Sequence, residues 1–340
     1  MLVEMLAARG ISVTGVTKAT LGSPEIAATM LGAGVRAIGD SRVENLAAMR
    51  RGGVCAPMML IRSPMLSQAR MVVAHADLSF NTELASIKAL SHAAQEAGCI
   101  HGVVLMVELG DLREGILPGM LHSAVRQTLS FPNIRLIGIG TNLACRSGVS
   151  PDSTNMSELS NLAISIEATF GLAVAVVSGG NSANLAWALN KEENIGRVND
   201  LRLGESILLG RETLHREPIE GLHTDAITLV AEVIESKIKP SRPWGAIAQS
   251  AFGKTITPVD RGDISQLVLA IGHQDTDPQG LCAPPGIEVL GHSSDHLVAD
   301  SGADRLSVGA EVRFQLNYSA LVRAMTSPYV HKVIRGRIRL

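Results

Sequence analysis

The sequence predicts an α/β protein with a (β/α)₈ barrel over residues 1–222 and an all-β domain over residues 223–340. Short β-rich runs alternate with helical patterns in the first part of the chain. After about residue 222 the pattern changes to strands without intervening helices. Turns rich in proline and glycine separate these later strands, for example SRPWG, DPQG and APPG.

The barrel prediction rests on eight β-rich runs: ISVTGVTK, VRAIGDS, APMMLIRS, ADLSF, GVVLMVEL, IRLIGIGTN, AVAVVSGG and LRLGESILLG. The segments between them space apolar residues as helices do, for example SPEIAATMLGAG, NTELASIKALSHAAQEAG and NMSELSNLAISIEATFG. Alternating strands and helices form parallel βα units, and eight such units close into a TIM barrel. The chemistry of these barrels lies at the C-terminal ends of the strands, where we expect the site.

The second half contains the strand-like runs AITLVAEVIESKI, QLVLAIG, IEVLG, HLVAD and EVRFQLNY. We assign the two tyrosines, Tyr318 and Tyr329, to a final β segment. The basic tail HKVIRGRIRL alternates apolar and charged residues, which is typical of a solvated edge strand.

Composition excludes several classes of protein. Thirty basic and thirty-two acidic side chains give a net charge of −2, which provides no positive electrostatic field to attract a nucleic acid. We find no signal peptide before the first apolar segment and no uncharged apolar run long enough for a membrane helix. The four cysteines are widely spaced and form no metal motif, so we expect reduced thiols, no metal site and a cytoplasmic location.

Lys18 ends the first β-rich run, just before an amphipathic segment. A buried ammonium is costly unless it is paired, neutralised or modified. Three interpretations are open: a structural ion pair, a surface lysine whose ammonium reaches water, and a lysine that forms a Schiff base.

Other polar groups follow other strands of the predicted barrel: Arg113, Asn142, the loop SGGNSAN and the run LRLGES. The loop offers two glycines for close backbone approach, hydrogen-bonding side chains from Ser178, Asn181 and Ser182, and the N–H groups of a following helix. It is either an anion cradle or an ordinary capped turn. A phosphate cradle and a lysine in one barrel mouth fit pyridoxal 5′-phosphate (PLP), which needs both.

Nine motifs occur in order: VTGVTK, GDSRVENL, VELGDLREG, SGGNSAN, LRLGES, AFGK, AIGHQD, SSDHL and NYSALVRAMTSPYV. Together they resemble the PLP-dependent amino-acid racemases of the alanine racemase fold (fold type III), in particular the ornithine racemase branch. The resemblance runs from about residue 8 to residue 332. Members usually begin with an additional strand and part of a helix before the lysine strand, so we expect the first strand of the family pattern to be trimmed here.

The resemblance implies a role for each matching position. Lys18 holds PLP covalently and removes or returns the α-proton, Arg113 faces the phenolic oxygen, and Ser182 with Asn181 binds the phosphate. Arg202 faces the pyridine nitrogen. Because an arginine is always charged and only donates, it leaves that nitrogen unprotonated, which favours returning a proton over losing CO₂. We also place Asn142 and Ser178 among the cofactor-binding residues.

Two positions depart from alanine racemase itself. Phe252 stands where that enzyme has its second base, a tyrosine from the partner subunit, and Met106 stands where many members have a carbamylated lysine. For the second base we consider His296 first and Tyr329 second, because imidazole titrates near working pH.

The other residues of SSDHL also have two interpretations. Ser294 and Asp295 are candidate substrate-binding residues, although an Asp in such a place is also common as a cap. His296 is equally open to interpretation as a surface or interface histidine.

The sequence therefore predicts a cytoplasmic, homodimeric PLP enzyme that racemises an α-amino acid, most simply ornithine or another basic one. The β domain of one subunit would supply SSDHL to the barrel of the other. Two alternatives remain: an enzyme like D-threonine aldolase, which would add a metal, and a non-catalytic PLP-binding protein.

Overall fold

A computed structural model describes residues 1–250, 252–253 and 259–335. The chain divides into two compact units, one built on Met1–Leu222 and the other on His223–Ile334. Each unit has its own sheet.

The first unit is a closed barrel of eight parallel strands in chain order, with β1 paired to β8. The strands are β1 (Ser12–Val16), β2 (Ala37–Asp40), β3 (Met58–Leu60), β4 (Leu78–Asn81), β5 (His101–Val107), β6 (Ile134–Thr141), β7 (Val176–Ser178) and β8 (Asp200–Leu203). Each of the eight β-rich runs of the sequence supplies one strand, which confirms the predicted barrel.

Helices connect the barrel strands. They are α1 (Leu2–Ala7), α2 (Pro24–Gly32), α3 (Val43–Arg51), α4 (Ala69–His75), α5 (Leu84–Glu96), α6 (Leu121–Ser130), α7 (Ser153–Phe170), α8 (Leu185–Leu189) and α9 (Glu205–Leu209). Local sequence defines their ends. For example, α7 begins at a capping box between Asp152 and Asn155 and ends at Gly171, which adopts a left-handed conformation.

Apolar side chains fill the barrel interior. Phe80, Val104 and Met106 form a buried cluster there. Met59, Ile61, Leu78 and Ile137 pack against it. The barrel is therefore a packed core and not a pore, and polar groups concentrate at the strand ends.

The second unit is a six-stranded antiparallel sheet in the order β11-β14-β9-β10-β13-β12. Its elements are β9 (Thr228–Pro240), β10 (Asp263–Leu269), β11 (Leu281–Cys282), β12 (Glu288–His292), β13 (Leu297–Asp300), β14 (Glu311–Leu316) and α10 (Tyr318–Thr326). Alternate residues of β9, among them Leu229, Ala231 and Val233, enter a buried apolar cluster on one face of the sheet.

The predicted β character of this unit is confirmed, but the assignment of its closing segment is wrong. Tyr318 begins helix α10, whose start is capped by Asn317, and Tyr329 lies beyond the helix in irregular structure. The start of the basic tail, residues 331–335, is not in a strand, and residues 336–340 lie outside the described residues. All four cysteines are unpaired. Within the described ranges, none of the helices is both long and apolar enough to span a membrane.

Candidate active site

Lys18 lies on a short turn just after the first strand. β1 ends at Val16, and Lys18 begins a short 3₁₀ turn, Lys18–Thr20. The buried Thr17 donates its hydroxyl hydrogen to Asp40 Oδ2 at 2.8 Å, which ties the turn to the end of β2. Burial raises the pKa of the Asp40 carboxyl, although four hydrogen bonds to it act in the opposite direction. Lys18 itself is exposed and follows the C-terminal end of the barrel strand.

Arg202 is a buried cation at the end of β8, with 5% of its surface exposed. Its Nη1 donates to the Ser178 hydroxyl, and its Nη2 donates to the Thr141 carbonyl at 2.7 Å. The guanidinium carbon lies 4.8 Å from the centroid of the Phe80 ring. Burial lowers the pKa of Arg202 to about 10, the charge of Asp200 raises it, and the charge of Arg113 lowers it further.

A buried carboxylate supports this arginine. Asp200 accepts hydrogen bonds from Thr14 Oγ1 at 2.7 Å and from Ser178 Oγ at 2.5 Å. Burial raises its pKa, whereas these two hydrogen bonds and the charge of Arg202 oppose the rise. Ser178, predicted to bind the cofactor, is fully buried, and its hydroxyl is engaged by Asp200 and Arg202.

A further charged residue, Glu205, follows the end of β8. It begins helix α9 and forms an ion pair with Arg216.

The SGGNSAN loop is held by its own side chains. The Asn181 amide donates to Asn142 Oδ1 at 3.1 Å and to the Leu143 carbonyl at 2.8 Å, and its Oδ1 accepts from the Ala183 N–H at 2.8 Å. Gly180 has a φ of 144°, and a Cβ there would lie 2.1 Å from Asn184 Oδ1, so glycine is required. Asn142 and Asn181 therefore meet at the ends of β6 and β7.

Ser182 belongs to the same loop and is buried. Its hydroxyl is 2.9 Å from the hydroxyl of Ser206, a residue of α9, and accepts the Ser206 N–H at 3.2 Å. Sequence reasoning missed Ser206 and Asp200, although both lie within or beside the LRLGES motif.

Arg113 occupies the loop after β5. The Glu108 carboxylate organises this loop by accepting backbone N–H groups from Gly110, Leu112 and Arg113 at 2.6–3.2 Å. The guanidinium of Arg113 pairs with Glu114 at 3.1 Å and is about one-third exposed. The charge of Arg113 lowers the pKa of Arg202.

These groups fit PLP. They comprise an exposed lysine, a buried cation and a second, partly exposed cation, which suit an aldehyde and an anionic ring substituent. The Asn142 amide nitrogen is buried and has no hydrogen-bond partner among the residues that the structure describes. Such a donor is ready for an acceptor from a ligand.

In the second unit, the predicted substrate residues form the exposed turn between β12 and β13. His296 Nδ1 lies 2.9 Å from Asp295 Oδ1, and the Ser294 hydroxyl donates to the same oxygen at 3.2 Å. Gly272 packs against the backbone of this turn, since a Cβ there would lie 2.3 Å from the Asp295 nitrogen. Tyr329, the second candidate base, is 79% exposed.

Two further histidines near this turn were missed. His273 and His292 stack with ring centroids 5.2 Å apart, and Phe252 lies against both. The Nδ1 atoms of both histidines are buried and lack a partner within the described part of the chain. Burial, Arg323 and His292 lower the pKa of His273. In the same ranges, no group of three or more His, Cys, Asp and Glu side chains is arranged to hold a metal.

The fold and site define a class of enzyme: a (β/α)₈ barrel with a lysine at the end of its first strand, followed by an antiparallel β domain. A profile of the alanine racemase N-terminal domain matches residues 2–211. The chain belongs to the alanine racemase family, as the sequence motifs predicted. This relationship assigns the protein to the amino-acid racemases, which are isomerases.

Similar proteins include racemases of basic amino acids. The lysine racemase of Thermotoga maritima is 37% identical over 99% of this chain and 95% of its own length. The ornithine racemase of Acetoanaerobium sticklandii is 40% identical over 86% of this chain and 83% of its own length. Among solved structures, the alanine racemase of Streptomyces lavendulae has a TM-score of 0.73 at 17% identity, covering 95% of this chain and 91% of that one. This last likeness concerns the fold alone.

Proposed function

We propose that the protein is a PLP-dependent racemase of a basic α-amino acid, with lysine and ornithine as the first substrates to test. The observation that carries the proposal is the meeting of two strand ends. Gly15 of β1 pairs with Leu203 of β8, so Lys18, which follows β1, and Arg202, which lies near the end of β8, belong to neighbouring strands of one barrel. The choice of a basic substrate is supported by the lysine and ornithine racemases at 37% and 40% identity.

Six positions would hold the cofactor. Lys18 would bind it covalently, Arg202 would face the ring nitrogen, and Arg113 would face the phenolic oxygen. The loop of Asn181 and Ser182, with the unpartnered Asn142 amide beside it, would receive the phosphate. When bound, PLP supplies an aldehyde that reacts with amines and a conjugated ring that accepts electron density from the substrate α-carbon.

The residues of this chain would then move the α-proton. Lys18 Nζ would take it from one face of the α-carbon and return it there in the reverse direction. A second group must act on the opposite face, and we assign this role to His296. Because Asp295 engages His296 Nδ1, Nε2 is the ring nitrogen that remains to exchange a proton.

We also propose a cytoplasmic homodimer in which the Ser293–His296 turn of each subunit serves the barrel of the other. Ser294 and Asp295 would contact the substrate from that turn. A shared site of this kind requires two-fold symmetry, because each subunit must give and receive the same residues.

The cofactor assignment is tested by reducing the PLP-loaded protein with borohydride and locating the modified lysine by mass spectrometry. We expect the label on Lys18 and complete loss of racemisation in Lys18→Ala. Lys88→Ala is the matched control, because Lys88 is an exposed lysine on the outer helix α5, and it should keep wild-type activity. A label on Lys88 would contradict the assignment.

Substrate class is tested by a chiral chromatography assay of both enantiomers of the twenty common amino acids and ornithine. We expect turnover of lysine, ornithine or arginine to exceed that of alanine by at least about tenfold, which corresponds to about 1.4 kcal/mol of transition-state discrimination. A preference for alanine would refute the basic substrate and leave racemisation intact. Cleavage of threonine without racemisation would favour the aldolase alternative.

A further inference from the structure

Four side chains from three barrel strands form one buried chain of contacts. Ser178 on β7 pairs in register with Asp200 on β8, and Thr14 on β1 pairs with Arg202. Asp200 and Arg202 are two residues apart on one strand, so their side chains share a face. All four residues are buried, and the Thr141 carbonyl at the end of β6 completes the set.

The direction of these hydrogen bonds follows from the chemistry of the groups. A guanidinium only donates, so Ser178 Oγ must accept from Arg202. A hydroxyl has a single hydrogen, which Ser178 therefore gives to Asp200 Oδ2, while Thr14 gives its own to Oδ1. Protonating Asp200 would add a hydrogen to one of these two oxygens, and the hydroxyl that faces that oxygen would have to turn its own hydrogen elsewhere. This arrangement favours the ionised form of Asp200, whose carboxylate is connected through the Ser178 hydroxyl to the Arg202 cation.

We propose that Asp200, acting through Ser178, is the positioning residue that holds Arg202 in place as a permanent cation and so keeps the cofactor nitrogen that Arg202 faces unprotonated. The inference rests on the proposed PLP function and deepens it. Asp200 touches neither substrate nor cofactor in this proposal. Its effect passes through the Ser178 hydroxyl to the guanidinium.

The physical reason lies in charge compensation. Burial lowers the pKa of Arg202 below that of an ordinary arginine, and the charge of Asp200 opposes this decrease. The other groups that act on the guanidinium are Arg113, Glu114 and the Cys145 thiol. Without the carboxylate, Arg202 becomes a stronger proton donor toward any acceptor that it faces. With PLP bound, a ring nitrogen that gains proton character would stabilise the substrate carbanion for longer. Protonation would then occur on the cofactor carbon in place of the α-carbon, and hydrolysis by water would release the α-keto acid and pyridoxamine phosphate.

The test uses Asp200→Asn, which keeps the shape and removes the charge, and Ser178→Ala, which removes only the link. The PLP-loaded proteins are given one enantiomer of lysine, and the pyridoxamine phosphate formed per racemisation event is counted. We expect both variants to raise this ratio about tenfold, the effect of one pKa unit on a protonated fraction. The pH titration of the cofactor absorption band should shift in the same variants.

Two further variants separate positioning from folding. Thr14→Val removes the other hydroxyl on Asp200 and leaves the path to Arg202 intact, so the ratio should stay at the wild-type value. Ser178→Thr keeps the hydroxyl and should restore the ratio that Ser178→Ala raises. Thermal unfolding without PLP measures the stability lost in each protein.

The outcomes are distinct. Unchanged ratios and unchanged titrations in Asp200→Asn and Ser178→Ala, with lowered melting temperatures, would make the network structural and overturn the inference. If Asp200→Asn does not fold, Ser178→Ala decides by the same two measurements. A wild-type protein that neither binds PLP nor racemises would overturn the proposed function, and with it this inference.

Discussion

The contact between Phe80 and Arg202 predicts a measurable coupling. Phe80 is 1% exposed, packs against Val104 and Met106, and places its ring 4.8 Å from the Arg202 guanidinium. Phe80→Leu removes three carbon atoms, which costs about 2 kcal/mol at about 0.8 kcal/mol for each buried carbon. It also removes a desolvated cation–π contact worth about 1–2 kcal/mol. We therefore expect a total loss of about 3–4 kcal/mol in the free energy of unfolding.

A double-mutant cycle separates the two contributions. The free energy of unfolding in urea is measured for wild type, Phe80→Leu, Arg202→Gln and the double variant. The packing loss occurs in both backgrounds and cancels, so the remainder, about 1–2 kcal/mol, belongs to the ring and the cation. Val104→Ala in place of Phe80→Leu is the control, because Val104 belongs to the same cluster, and its coupling to Arg202 should be close to zero. A coupling below about 0.5 kcal/mol for Phe80 would refute the cation–π argument.

Further predictions concern acidity, proton transfer, capping and assembly. Burial lowers the pKa of His101 to about 4 from 6.5, so the unfolded chain takes up the proton first and stability should fall by about 3 kcal/mol as the pH drops between these values. His101→Gln should flatten that slope in urea titrations, and an unchanged slope would exclude His101 as its source. His296→Ala, assayed in deuterated water, should slow α-proton abstraction from one enantiomer far more than from the other; unchanged rates in both directions would transfer the role to Tyr329. Asp152→Ala should lower the free energy of unfolding by about 1 kcal/mol through loss of the cap of α7, and a loss below about 0.3 kcal/mol in urea would argue against it. Dilution should reduce specific activity as subunits separate, whereas a fully active monomer by light scattering would exclude a shared site.

The sequence predicted the barrel well because the patterns that indicate its strands and helices are local. Alternating strands and helices, caps such as Asp152 and the change of pattern after residue 222 depend on neighbouring residues. The closing segment shows the opposite case. Asn317 caps a helix there by accepting the Ala320 N–H at 2.9 Å, and apolar residues follow at helical spacing. The helix signal was present in the sequence, but the segment was assigned to a strand because of its aromatic residues.

The association of Lys18 and Arg202 with barrel strands could be predicted from the sequence, since Lys18 closes one β-rich run and Arg202 lies in another. The side chains that surround these two residues could not be predicted. Ser178 was expected to offer its hydroxyl to a ligand, whereas the fold gives it Asp200 and Arg202 as partners from the next strand. A single aspartate beside LRLGES has no local pattern that reveals its role. Only the closing of the barrel brings β1, β6, β7 and β8 together, and only then does burial convert ordinary hydroxyl, carboxylate and guanidinium groups into one linked network.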